Sequence, residues 1–148
     1  MNKKIAIKLM TGSILALALA ACGQNFESSE KTPHQIGVFS SGYMYSKKPE
    51  AGVLAFGPYI KLNPGKYTAV FEVQSLGDDL NFIEAGYVDV VRNNGQDQLI
   101  KGVIPSDPKN EKISLNFTVE KNDDQLYEFR VFANGSNSIK FKSVKLKN

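Results

Sequence analysis

The side chains that most often perform catalysis are scarce in this chain of 148 residues, which has one cysteine, Cys22, and one histidine, His34. A nucleophilic triad needs a base beside its Ser or Cys, and His34 lies in a polar segment with no hydrophobic period, so neither a Ser-His-Asp nor a Cys-His arrangement is expected. A zinc site of Cys and His ligands is excluded on the same grounds. Carboxylates remain. Asp78, Asp79, Asp123 and Asp124 fall in turn-like segments, where oxygen ligands alone could satisfy a calcium ion. Their spacing follows no EF-hand pattern, and acidic pairs in turns are ordinarily solvated, so no metal or cofactor is assigned. Glu84 and Asp89 could act as a glycosidase pair only by facing each other across a cleft. Five residues apart on one extended segment, they point to opposite faces. No acid–base constellation follows, and the chain reads as a non-enzyme.

Aromatic rings are the chemistry it does carry. A ring stacks on the apolar face of a sugar while a few fixed polar groups orient the hydroxyls. Tyr43 and Tyr45 lie in a glycine- and serine-rich segment, Tyr59 follows Gly57-Pro58, and Phe132 shares the outward side of an alternating segment with Arg130 and Glu128. Tyr59 and Tyr67 are expected to pack inside, because large rings dominate cores. Tyr45, Arg130 and Phe132 form the candidate ligand-binding set. Arg130 and Glu128 are expected to make no more than an exposed ion pair, worth under ~1 kcal/mol.

The start of the chain carries a different signal. Lys3, Lys4 and Lys8 precede an apolar run from Leu9 to Ala21 that is interrupted only by Thr11, Gly12 and Ser13. A bilayer-spanning helix needs about 20 apolar residues, and this run is shorter and ends in small residues, the layout of a cleaved leader. Leu19-Ala20-Ala21-Cys22 resembles the lipobox of bacterial lipoproteins, in which the cysteine is acylated and becomes the mature N-terminus. The resemblance implies a signal peptide over 1–21, a lipid of palmitate type on Cys22 and anchorage to a membrane of the cell envelope, since several acyl chains hold where one is marginal. Gly23 in place of aspartate implies the outer membrane in an enteric-type Gram-negative cell. In a Gram-positive cell the same signal implies the outer face of the plasma membrane. With a single cysteine, no intrachain disulfide can form.

The leader also explains the formal charge of +3. Its three lysines are the only charged residues before Cys22, and without them 15 basic residues face 15 acidic ones. A near-neutral mature chain has no electrostatic basis for nucleic-acid binding. Residues 22–35 are polar without a hydrophobic period and read as a lipidated flexible tether. The remaining 36–148 has the size of one domain with one core.

Period-two alternation marks that domain as extended chain. Tyr67, Ala69, Phe71 and Val73 share one face of Lys66 to Gln74, and Ile113, Leu115, Phe117 and Val119 share one face of Ile113 to Glu120. Leu126 to Ala133 places Tyr127, Phe129, Val131 and Ala133 together. Ile83 to Arg92 and Gln98 to Ile104 flank Asn93-Asn94-Gly95, a hairpin signal because these residues tolerate positive φ. Ser138 to Lys147 changes phase between Phe141 and Val144, which predicts a β-bulge near Lys142 and Ser143. Its lysines read as a solvated face. Gly37 to Tyr45 and Val53 to Ile60 read as shorter strands, and no stretch after Cys22 holds a helical period. Seven or eight strands joined by Gly, Asn, Asp and Pro turns predict an all-β, antiparallel β-sandwich.

The segment Gly57-Pro58-Tyr59-Ile60-Lys61-Leu62-Asn63-Pro64-Gly65-Lys66-Tyr67-Thr68-Ala69-Val70-Phe71, with an ending of Leu126 to Val131 and Ile139 to Leu146, resembles jelly-roll sandwiches of carbohydrate-binding-module, galactose-binding-like type. The resemblance implies a noncatalytic domain that binds an envelope or extracellular glycan. The alternative is a structural or adaptor lipoprotein that presents an edge strand or loop to an envelope protein and binds no sugar.

Overall fold

The structure is a computed structural model and describes residues 23–148. The leader and Cys22 lie outside the described residues. Ten strands follow in chain order: β1 (Gln24–Glu27), β2 (Val38–Ser40), β3 (Tyr43–Ser46), β4 (Ala51–Ala55), β5 (Gly65–Ser75), β6 (Glu84–Arg92), β7 (Asp97–Pro105), β8 (Lys112–Val119), β9 (Tyr127–Asn134) and β10 (Ile139–Lys147). Every pairing is antiparallel. One sheet has six strands in the order β2-β3-β10-β5-β8 with β1 also on β10, and the other has four in the order β4-β9-β6-β7. The fold is an all-β sandwich, and the described residues contain no helix.

The alternation seen in the sequence forms the core. Tyr67, Ala69, Phe71 and Val73 of β5 are buried, as are Leu115, Phe117 and Val119 of β8 and Tyr127, Phe129, Val131 and Ala133 of β9. Rings bridge the two layers, with Phe117 5.8 Å from Tyr127 and Phe71 edge-on to Phe129 at 6.3 Å. Each such ring stabilises by roughly 1.5–3 kcal/mol through burial. The Asn93-Asn94-Gly95 hairpin joins β6 to β7 with positive φ at all three residues, and the register of β10 on β5 shifts between Phe141 and Ser143, where the bulge was expected.

Three segments differ from the expectation. Residues 22–35 are not a tether throughout: Gln24–Glu27 is a strand registered on Leu146–Ser143, and Phe26 stacks 6.0 Å from Phe129 inside the sandwich. Because β3 reaches only Ile139–Phe141, the second half of β10 has an open edge that β1 fills. A single half-buried ring in a polar run creates no period, so the sequence pattern was silent. Further on, the Ile36 amide donates to the Val53 carbonyl and the Phe56 amide to that of Pro33. Gly37 to Tyr45 is a hairpin of two strands, turning at Ser41 and Gly42 with φ of 50° and 83°. The strand expected over Val53 to Ile60 ends at Ala55, and the chain meets β9 again at Ile60 opposite Tyr127.

The registers define two poles. Gly23, the hairpin at 93–96 and the loop at 120–126 lie at one, and the loops at 76–83 and 135–138 at the other. Each sheet keeps an outer face: that of the four-stranded sheet carries Tyr87, Asp89, Arg130 and Phe132, and that of the six-stranded sheet carries Tyr43, Tyr45 and the lysines of β10.

Candidate functional site

The outer face of the four-stranded sheet is built in rows, because residues directly opposite across antiparallel strands share a face. One row runs Val53, Phe132, Tyr87, Val103 across β4, β9, β6 and β7. The next runs Arg130, Asp89, Lys101. Phe132 and Tyr87 stack at 4.3 Å between centroids and 14° between planes. The Lys101 ammonium lies 4.1 Å from the Tyr87 centroid and the Arg130 guanidinium 5.0 Å from that of Phe132. Each ring spends one face on the other, so the order is Lys101, Tyr87, Phe132, Arg130.

The two ends of this stack differ. Asp89 is fully buried and accepts two parallel bonds from Arg130, Nε to Oδ1 at 2.9 Å and Nη2 to Oδ2 at 2.7 Å, with a third from Gln98 Nε2 at 2.7 Å. A bidentate fork of this kind fixes the guanidinium plane, and donating to Asp89 raises the Arg130 pKa. Lys101 is exposed and makes no ion pair among the described residues. A lysine stem has freely rotating bonds, so displacing it would leave a ring face backed by Phe132 with an ammonium beside it.

Two buried or aromatic neighbours complete the electrostatics. Glu128 is 5% exposed, and burial pushes its carboxyl above the usual range, with Arg130 pulling it back and Asp89 adding to the rise. The Tyr59 hydroxyl is raised first by burial and then by Glu128. Gly95, at the hairpin tip with φ +79°, closes this side: a Cβ there would sit 3.2 Å from Arg130 Nη1 and 3.9 Å from Glu128 Oε2.

The expected site residues are thus only partly brought together. Arg130 and Phe132 are neighbours on this face, but the partner of Arg130 is buried Asp89, and Glu128, expected to be exposed, is itself buried. Both faces of Phe132 are covered, which makes it the backing of Tyr87. Tyr45 stands on the opposite sheet, 5.9 Å from Tyr43, and shares no surface with the other two. Tyr67 is buried as expected and donates to the Asn63 carbonyl at 2.8 Å, whereas Tyr59 is 50% exposed. Sequence reasoning missed Tyr87, Asp89, Gln98 and Lys101 as site residues. The hairpin signal between β6 and β7 was the available clue, since it implies that Asp89 faces Lys101.

Other candidate chemistry is committed elsewhere. Asp78 accepts the Ser138 amide, Asp79 that of Asn81, and Asp123 the Tyr127 hydroxyl and an Arg92 ion pair. Among the described residues no group of three His, Cys, Asp or Glu could hold a metal ion. A cleft of about 490 Å³ opens between the sheet edges and is lined by Phe26, Phe56, Tyr59, Phe129, Phe141 and Val144 with few polar groups.

No family model matches the chain, and no curated protein matches it in sequence. Among solved structures, a family 35 carbohydrate-binding module from an environmental isolate superposes with a TM-score of 0.56 at 14% identity, covering 84% of this chain and 93% of that one. The fold of this chain is similar to that module's β-sandwich. Two further modules of this kind align over most of both chains. The C-terminal family 6 module of LamC, a marine laminarinase from Zobellia galactanivorans, has a TM-score of 0.45 at 12% identity over 85% of this chain and 99% of that one. A module of Cellvibrio mixtus lichenase 5A, in complex with cellotriose, has 0.43 at 12% over 84% and 96%. At 14% identity the first of these likenesses concerns the fold alone, and the ring stack and its ion pair belong to this chain's own residues.

Proposed function

We propose that the mature chain is a noncatalytic glycan-binding lipoprotein, held to an envelope membrane through acylated Cys22, and that it binds sugar on the outer face of the four-stranded sheet. The observation that carries the reading is the Tyr87–Phe132 stack, locked on one side by Arg130 and Asp89 and capped on the other by exposed Lys101, which makes no ion pair among the described residues. A sugar that displaces the Lys101 stem gains the Tyr87 face, and the ammonium, Gln98 and Arg130 supply donors for its hydroxyls. Tyr45 has no part in this site.

A glycan array with the chain beginning at Gly23, followed by titration of the best ligand, tests the site. Weaker binding by Tyr87→Ala supports it, and undiminished binding refutes it. Incorporation of labelled palmitate, lost in Cys22→Ala, tests the anchor separately, and membrane retention of that variant counts against it. The adaptor reading has one observation in its favour: Leu80, Phe82 and Ile83 are exposed together on the 76–83 loop, at the pole opposite Gly23. Capture of an envelope protein that is lost in Phe82→Ser, with no glycan bound, would favour it.

A further inference from the structure

The mature chain is balanced in charge, yet the fold separates the signs. On the outer face of the six-stranded sheet the registers place Lys140, Lys142, Lys145 and Lys147 of β10 beside Lys66 of β5 and Lys112 of β8. The acidic residues among its outward strand positions are Glu27 and Glu72, and Glu72 is already paired with Lys142 at 3.6 Å. The other five lysines make no ion pair among the described residues. The opposite face of the sandwich balances Asp89 and Glu128 against Arg130 and Lys101.

The position of the chain's start gives this basic face a partner. Gln24 is registered on Leu146 and Asn25 on Lys145, so Gly23 lies beside the end of β10. Cys22 is one peptide unit, about 3.8 Å, from Gly23. With β1 bound to the sheet edge, a lipid on Cys22 has almost no tether and delivers Lys66, Lys145 and Lys147 to the bilayer surface. At the far end of the same face Tyr43 and Tyr45 stand in contact, with the Lys140 and Lys142 ammoniums 5.2 and 6.0 Å from the Tyr43 centroid. Tyrosine and lysine together suit a headgroup layer.

We infer that the outer face of the six-stranded sheet lies against anionic lipid headgroups, so that the Tyr87 face points away from the membrane. A basic patch next to an acyl chain is the usual second signal for stable attachment. The inference rests on the membrane placement proposed above and is independent of the sugar site.

The test uses the chain from Gly23, which holds all ten strands and carries no lipid, sedimented with phosphatidylcholine vesicles made with or without phosphatidylglycerol. It is expected to partition onto the anionic vesicles alone, and less as salt shortens the screening length from about 30 Å at roughly 0.01 M to about 8 Å at roughly 0.15 M. The triple variant K66Q/K145Q/K147Q, checked by circular dichroism for an unchanged fold, should lose about a hundredfold, roughly fivefold per lysine. Lys109→Gln, in the turn between β7 and β8, should change nothing. Equal partition onto neutral vesicles, no partition onto either, or a triple variant that binds like wild type overturns the inference, as does binding to soluble polyphosphate without binding to vesicles. Because this chain lacks the lipid, a failed anchor at Cys22 shows only in the palmitate experiment, and a failed sugar site only in the glycan titration.

Discussion

Removing the Asp89 carboxylate should destabilise the sandwich more than any exposed ion pair could. Asp89 is fully buried, and Asp89→Ala takes away both acceptors of the Arg130 fork and the one used by Gln98. Breaking a buried pair from one side costs about 3–5 kcal/mol, because the remaining charge is left uncompensated. The Arg130 side chain is 20% exposed and recovers some hydration, which places the cost at the low end, about 3 kcal/mol. For a domain of this size that lowers the melting temperature by about 12 °C. Urea unfolding of Asp89→Ala, Arg130→Ala and the double variant measures it. The double variant leaves no orphaned charge, so it should cost about 2 kcal/mol less than the sum of the singles. A loss under about 1 kcal/mol for Asp89→Ala, or strict additivity, would show that the fork contributes no more than a surface pair.

Other consequences are open to measurement. Tyr87→Ala should weaken glycan binding about five- to thirtyfold, an aromatic contact of about 1–2 kcal/mol, while Tyr45→Ala leaves it unchanged; the opposite pattern would move the site to the other sheet. The raised pKa of Glu128 means that the folded state keeps its proton where the unfolded chain has lost it, so this residue subtracts stability as pH rises from the ordinary carboxylate value through its folded value. Glu128→Gln should therefore gain stability at neutral pH and little in acid, and an equal gain at both would point to packing instead. A Cβ on Gly86 would meet the Phe132 carbonyl oxygen at 1.9 Å, so Gly86→Ala should force β6 from β9, cost about 1–3 kcal/mol or more and reduce glycan binding with it; a silent substitution would mean the sheet adjusts freely there.

Much of the fold was legible because it is written in local alternation. Phe71 and Phe117 belong to runs whose buried side repeats every second residue, and the Asn-Gly hairpin and the β10 bulge are marked by neighbours in sequence. What escaped notice depends on long-range contacts. Phe26 is a single ring in a polar stretch, and only the open edge of β10, over a hundred residues later, makes its segment a strand. Tyr59 was expected to pack inside as a large ring, but the chain leaves β4 at Ala55 and carries it to the surface.

The candidate site was legible along one strand and hidden across strands. Alternation within β9 suffices to put Arg130 and Phe132 on one side, but the residues that give them meaning, Asp89 and Tyr87, lie on β6 and arrive through a register of non-local pairs. Tyr45 shows the converse: its period says that it faces outward, and no local pattern says from which of two sheets. Net charge hides the same information, since equal counts of acid and base are compatible with even mixing or with segregation. Alternation within β10 already sets its own lysines on one face, the registers of β10, β5 and β8 add Lys66 and Lys112 to it, and only the pairing of β1 with β10 sets that face beside the residue expected to carry the lipid. The two outer faces are therefore separable in experiment: charge substitutions on the six-stranded sheet should alter membrane partition and leave sugar binding intact, and ring substitutions on the four-stranded sheet should do the reverse.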